Sequence, residues 1–453
     1  MNQAQQKIGW KTAAAIVIAN MIGTGVFTSL GFQLADVQNT WSIILLWFIG
    51  GMLALIGAFT YAELGTHFKE SGGDYVFLSR IFHPFAGYLY AWVSLTVGFS
   101  APIGISAMAM VQYFGAMDSE IFAWFSQVIF EIDFSSLGWV KTWQFNYGDL
   151  FGISLILILT GIHSVSVGQS GRFQNLSTIL KLVFVAVLII LGFSFVPTES
   201  NAQLYSSSWQ DEIWLPGFAV SLIYVSYAYT GWNSAAYITD EIEDPDRNLP
   251  KALIPATFLV MVVYILLQVV FLRHASVGEL ENQVEVATVS FTNLFGASGG
   301  FWVSLFIGIQ LIATISGYLW VGSRISYAMA KENPLWKVIA TKNENGIPVR
   351  ALWLQGIIAI VLTLTGTFEQ VLLYASFSLQ LMGTLTVAAL LWLKRKPNLY
   401  HSPGRPYLQI IYILFSFWVL GFMLMDKPYE SFIGLGLVTV GAITYFLQPK
   451  RGS

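Results

Sequence analysis

The chain has 453 residues, no cysteine and only five histidines. The missing cysteine excludes a disulfide, a thiol nucleophile and a thiolate metal site. Charge is equally scarce, at 10% Asp, Glu, Lys and Arg, where a soluble domain carries about 25%. His67, His83, His163, His274 and His401 read mostly as loop positions, and no Ser-His or His-Glu constellation recurs. An intramembrane enzyme, which needs a nucleophile or a metal cluster at membrane depth, therefore has no candidate residues. Nothing calls for a cofactor, a metal or a nucleic-acid partner.

Apolar sequence fills the remainder. Hydrophobic residues make up 55% of the chain, and the mean hydropathy is +0.65. The runs reach about 20 residues, the length an α-helix needs to cross a ~30 Å hydrocarbon core, without the alternation of ~10-residue barrel strands. The expected fold is an all-α integral membrane protein with spans at 12–35, 41–63, 84–113, 149–166, 173–196, 214–238, 250–272, 299–328, 348–367, 370–393, 407–425 and 430–447. Lys7 and Lys11 precede the first run without a small-residue cleavage site, so that run is expected to be retained as a helix.

With twelve spans and a cytoplasmic N-terminus, all but three of the 22 Lys and Arg fall inside, Lys181 being counted with them; Lys141, Arg273 and Lys427 are the exceptions. The positive-inside rule predicts that asymmetry, and both termini are then cytoplasmic in a cell membrane. The outer connection 114–148 carries Asp118, Glu120, Glu131 and Asp133 beside Trp124, Phe125 and Trp139, and is expected to lie partly as an interfacial helix. The second sizeable outer connection is 275–298, with Glu279, Glu281 and Glu285.

Two of the apolar runs are interrupted. Span 1 contains Ile22-Gly23-Thr24-Gly25-Val26-Phe27, and span 6 contains Tyr227-Ala228-Tyr229-Thr230-Gly231-Trp232-Asn233. Glycines inside a membrane helix permit local unwinding, and freed backbone groups at that depth are tolerated only where they line a site. Interrupted helices in corresponding positions of two halves point to a transporter's binding site. The competing reading is that the glycines only let helices pack closely.

The motifs resemble those of amino acid–polyamine–organocation permeases. The Gly23-Thr24-Gly25 run looks like that family's signature, Ser71-Gly72-Gly73-Asp74-Tyr75 is similar to its Ser-Gly-Gly-x-Tyr element, and Ser323-Arg324-Ile325-Ser326-Tyr327-Ala328 matches the end of its eighth helix. Span 6 with the following Asp240-Glu241-Ile242-Glu243-Asp244-Pro245 is most similar to the L-type amino-acid transporter branch and its bacterial relatives. The resemblance implies a leucine-transporter-type 5+5 inverted repeat with broken helices 1 and 6. Residues 12–196 form the first repeat, 214–393 the second, and 407–447 hold two peripheral helices. Where many relatives carry Asn-Gly in helix 8, this chain has Ser316-Gly317. Eukaryotic members bind a glycoprotein heavy chain through an outer cysteine, a partner excluded here.

The chemistry of the breaks suits an amino acid, whose ends are a carboxylate and an ammonium. Amides at Gly23, Thr24 and Gly25 open a half-helix whose positive dipole end suits a carboxylate. Carbonyls near Ala19–Ile22 and Tyr227–Tyr229 accept the ammonium's three donors. The candidate substrate residues are Ile22, Gly23, Thr24, Gly25, Tyr227, Ala228, Tyr229, Gly231 and Trp232. Tyr227 is the expected lid, with a packing aromatic as the alternative; Tyr229 and Trp232 are candidates either for the site or for bracing span 6. Ala101, Ile103 and Ser378 are candidates for the side-chain pocket.

Lys181 lies nine positions past Arg172, about 13 Å deeper in a helix. The resemblance gives such a lysine the place of a sodium ion, contacting span 1 carbonyls near Gly23 and the hydroxyls of Thr314 or Ser316. Snorkelling to the interface is the alternative. Asp240, Glu241, Arg247 and Glu63 near the inner face read as solvated loop charges, with inner-gate ion pairs as the alternative. The expected activity is sodium-independent secondary transport of small or neutral L-amino acids, by exchange or with protons. A polyamine or organic-cation permease ranks lower, because the breaks hold no carboxylate; a transporter-like sensor is the other alternative.

Overall fold

The computed structural model describes residues 7–117, 122–132, 143–165, 168–196 and 209–448, with side chains left out at 168–177. Asp118, Glu120, Asp133, Trp139 and Lys141 lie outside the described residues, as does the side chain of Arg172. The elements are almost all helices: α1 (Trp10–Met21), α2 (Gly25–Gln33), α3 (Thr40–Phe68) and α4 (Asp74–Ile81), then α5 (Pro84–Gly115). They continue with α6 (Tyr147–Val165), α7 (Gly168–Ser194), α8 (Pro216–Ala228), α9 (Pro245–His274), α10 (Val286–Phe295), α11 (Ala297–Glu332), α12 (Val349–Thr365), α13 (Phe368–Trp392), α14 (Tyr407–Asp426) and α15 (Pro428–Phe446). Each of the expected spans is helical. Among the described residues, nine helical segments are long and apolar enough to cross a membrane, counting α1 and α2 as one.

Three local features depart from expectation. The connection after α5 holds a 3-10 turn at Ala123–Ser126 and an antiparallel hairpin, β1 (Val128–Ile132) against β2 (Trp143–Asn146). No interfacial α-helix forms in its described part. The runs Val-Ile-Phe-Glu-Ile and Trp-Gln-Phe-Asn are β-branched and aromatic, which suits a pleated surface better than a helix. Inside α5, Ser94–Gly98 forms a π-turn, which shifts its helical face. Third, Val286–Phe295 makes an additional helix in the second outer connection, after a short turn whose Ser276 and Glu279 form a capping box.

The core sits around α3, whose small residues admit its neighbours closely. A methyl group on Gly50 would meet Val225 of α8, and one on Gly57 would meet the ring of Trp232. Trp47 is fully buried and donates to Gln33 on α2 at 3.0 Å. With α9 against both α3 and α1, this packing carries the two interrupted segments at the centre of the bundle.

Candidate substrate site

Both breaks form. The first helix stops at Met21 and resumes at Gly25, and α8 stops at Ala228, followed by a 3-10 segment at Ser234–Glu241. Gly231 takes φ +109°, a conformation that side chains disfavour. The two breaks cross at two points. A Cβ on Gly25 would lie 2.5 Å from Ala228 Cα, and one on Gly231 would lie 2.7 Å from the Asn20 carbonyl. Thus a glycine at each break rests on the backbone just before the other. Gly25 and Gly231 carry close packing, the alternative that the sequence left open. Gly23 does not: the nearest atom to a Cβ there is the Met21 oxygen at 3.9 Å. Its surroundings are open.

Tyr264 on α9, absent from the sequence-based candidates, joins the breaks. Its hydroxyl lies 2.5 Å from the Met21 carbonyl and 3.1 Å from the Ala228 carbonyl. The signal was a tyrosine in an otherwise aliphatic run at membrane depth, where a phenol needs a partner. Beside it, Gln268 donates to the Val26 carbonyl at 3.2 Å. Tyr113 reaches the Phe27 carbonyl from α5 at 2.8 Å.

Lys181, 8% exposed, donates through Nζ to the Ile22 carbonyl at 2.6 Å. It turns into the bundle and does not snorkel. The hydroxyls expected around it are spent elsewhere. Thr314 donates to Gln310 one turn back, and Ser316 pairs with His163 Nε2 at 2.8 Å. His163 is thus a buried helical residue, not a loop histidine. Lys181 takes one lone pair of the Ile22 carbonyl, while the carbonyls of Met21 and Ala228 share the single O–H of Tyr264.

The remaining candidates separate. Tyr227 is buried and faces Thr24. The Tyr229 hydroxyl donates to the Trp47 carbonyl at 3.0 Å, and its ring packs on Trp47 and Tyr264. Trp232 meets Tyr61 edge-on at 4.6 Å and covers Gly57, so it braces the segment against α3. Two pocket candidates move away. Ile103 packs with Ile156, Ile315 and Leu352 in a separate cluster. Ser378 donates to Tyr374 and Gly434, where α13 meets α15. Ala101 is fully buried in the main core.

Both ends of the bundle are tied. At one end, Ser29 of α2 donates to the Tyr224 carbonyl of α8, and the Tyr224 hydroxyl donates to Glu369 at 2.5 Å. At the other, Ile8 bridges Ile242 as an isolated parallel pair, Lys69 holds Asp246 at 2.7 Å, and Ser71 bonds Asp240. Arg247 is exposed and, among the described residues, its ion pair is with Asp244, at 3.9 Å. Glu63 is not a solvated charge. It is 4% exposed, with Arg405 at 2.5 Å and the Ser402 amide at 2.8 Å, partners the sequence places 342 and 339 residues away. Asp74 is likewise buried, receiving the hydroxyls of Tyr61 and Tyr237, the latter at 2.8 Å. Burial pushes its carboxyl above the usual carboxylate range.

A family model described as amino acid permease matches residues 8–445. The chain is 29% identical to the b(0,+)-type amino acid transporter 1 of Mus musculus, over 98% of this chain and 88% of that one. It is 28% identical to the large neutral amino acids transporter small subunit 2 of Homo sapiens, over 98% and 80% of the two chains. The serine/threonine exchanger SteT of Bacillus subtilis (strain 168) is 26% identical, over 99% and 98%.

Proposed function

This chain belongs to the amino acid permease family, a family of transporters and not of enzymes, and on that premise we propose that it carries small or neutral L-amino acids without sodium. It spans the cell membrane twelve times, with both termini cytoplasmic, in two inverted repeats of five helices. Alternating access at the paired breaks moves the substrate, by exchange with another amino acid or together with protons. The reciprocal seating of Gly25 on Ala228 and Gly231 on Asn20 supports the two-fold relation between the halves.

The observation that carries the reading is the crossing of two unwound segments beside a buried lysine. Substrate carboxylate takes the amides of Gly23, Thr24 and Gly25, at the positive end of α2. The ammonium takes the remaining lone pairs of the carbonyls at Met21, Ile22, Tyr227 and Ala228. The open space at Gly23 marks where the substrate backbone sits. Tyr227 covers it, Tyr264 and Tyr229 hold the breaks in place, and Gly231 and Trp232 set the path of the second break. Lys181 supplies from the chain the positive charge that sodium would otherwise bring; Thr314 and Ser316 stand on the neighbouring helix and shape its surroundings through Gln310 and His163.

A shared carrier for serine, threonine and larger neutral residues fits the names of the relatives, and the breaks supply no carboxylate for a polyamine. Uptake of labelled serine, threonine and leucine into proteoliposomes tests the assignment, with choline replacing sodium, with a pH gradient, and with internal substrate. Uptake in choline medium is expected. Strict sodium dependence, or no uptake of any amino acid, overturns the reading.

A further inference from the structure

Between the end of α13 and the start of α14 lies an open recess of about 400 Å³, lined by Leu391, Arg395, Arg405, Pro406 and Ile410. Leu391, Pro406 and Ile410 give it apolar lining, and Arg395 and Arg405 give it cationic lining. The Arg395 guanidinium donates to the Arg405 carbonyl at 3.4 Å, which occupies one of its five N–H donors. Lys394 and Lys396 flank it in sequence, and among the described residues none of the three makes an ion pair.

Two independent features place this recess at a headgroup boundary. Trp392 and Tyr407, next in sequence to the lining residues Leu391 and Pro406, stand 66% and 74% exposed, aromatics of the kind expected at a membrane–water interface. Beyond them, α14 presents Ile410, Ile411 and Leu414 outward, a surface for an acyl chain. Cationic and apolar lining together at that depth matches one amphiphile: a phosphate with hydrocarbon attached.

We propose that this recess binds the phosphate headgroup of an anionic membrane phospholipid, with Arg395 as its principal contact and Lys394 and Lys396 adding field. The inner wall is Arg405, 8% exposed in its side chain, whose guanidinium also holds Glu63 on α3 and the carbonyls of Leu390 and Leu393. The lipid therefore sits one residue from the tie between α3 and the α13–α14 connection. The proposal rests on the membrane-spanning reading of the helices and not on the substrate, so binding is measured separately from transport.

Native mass spectrometry of the purified full chain tests it, with phosphatidylglycerol and phosphatidylcholine supplied at equal concentration. Wild type is expected to retain phosphatidylglycerol preferentially. Arg395→Ala is expected to lower that retention roughly fivefold, the effect of one surface cation on an anionic headgroup. Lys337→Ala, a charge-matched control on another loop, is expected to leave it unchanged. Equal retention by wild type and Arg395→Ala overturns the proposal, as does displacement of the lipid by millimolar inorganic phosphate alone. Correct folding of Arg395→Ala is checked by its thermal melting profile.

Discussion

Lys181 Nζ donates to the Ile22 carbonyl at 2.6 Å, across 159 residues of sequence, at the point where the first helix unwinds. A charge-assisted bond of this kind contributes about 1.5–3 kcal/mol. Lys181→Met is therefore expected to lower uptake by roughly 10–100-fold with little change in expression. Adding sodium is not expected to restore it. Wild-type rates in the substituted protein would show that the break holds without the lysine.

Tyr264→Phe removes the hydroxyl shared by Met21 and Ala228. The one O–H that the two carbonyls share is then lost, at a cost of about 1–3 kcal/mol. A lower melting temperature is expected together with a higher KM, because the proposed site assigns the same carbonyls to the substrate ammonium. A fall in melting temperature with unchanged KM would confine Tyr264 to a structural role.

The glycines of the first break are expected to divide. Gly25→Ala forces a methyl into the Ala228 backbone, an overpacking that costs about 1–3 kcal/mol. Gly23→Ala meets open space and is expected to melt like wild type while transporting at least tenfold more slowly, with the loss in KM. Differential scanning fluorimetry alongside uptake separates the two. Equal destabilisation by both would mean that the break is only a packing device.

Removing Glu63 alone strands the Arg405 guanidinium in a buried setting, at about 3–5 kcal/mol. Glu63→Gln is expected to lower the melting temperature sharply. The double substitution Glu63→Met with Arg405→Met is expected to recover part of that loss, and a double-mutant cycle on melting measures the coupling. Additive effects would mean that the pair is not a unit.

Glycines in matched positions of two apolar runs were enough to read the two breaks from sequence, although two of them, Gly25 and Gly231, also serve close packing. Lys181 was legible because a lysine at membrane depth needs a partner. Its hydroxyl neighbours were not. Thr314 and Ser316 satisfy themselves on Gln310 and His163, and helical spacing does not reveal which face of a helix meets a lysine on another. The Glu63–Arg405 pair was invisible because its partners lie at opposite ends of the chain and each alone resembles an interfacial loop charge. The β1–β2 hairpin was missed because aromatic content was weighed and strand propensity was not.

The seating of Gly25 on Ala228 and of Gly231 on Asn20 is the contact pattern of an isologous dimer, residue i on j and j on i, folded into one chain. An interface of that kind is self-complementary, so each broken segment is both socket and peg. On the proposed alternating-access reading, the parts that move are not four independent half-helices but two composite ones, α2 with α8 and α1 with the segment after Gly231. A lesion at Gly25 loosens one composite and leaves the other intact. A lesion at Gly231 does the converse, with the added loss of a φ of +109°. Each therefore releases a different side of the protein, and the two are separable by which face of the membrane an impermeant label reaches first.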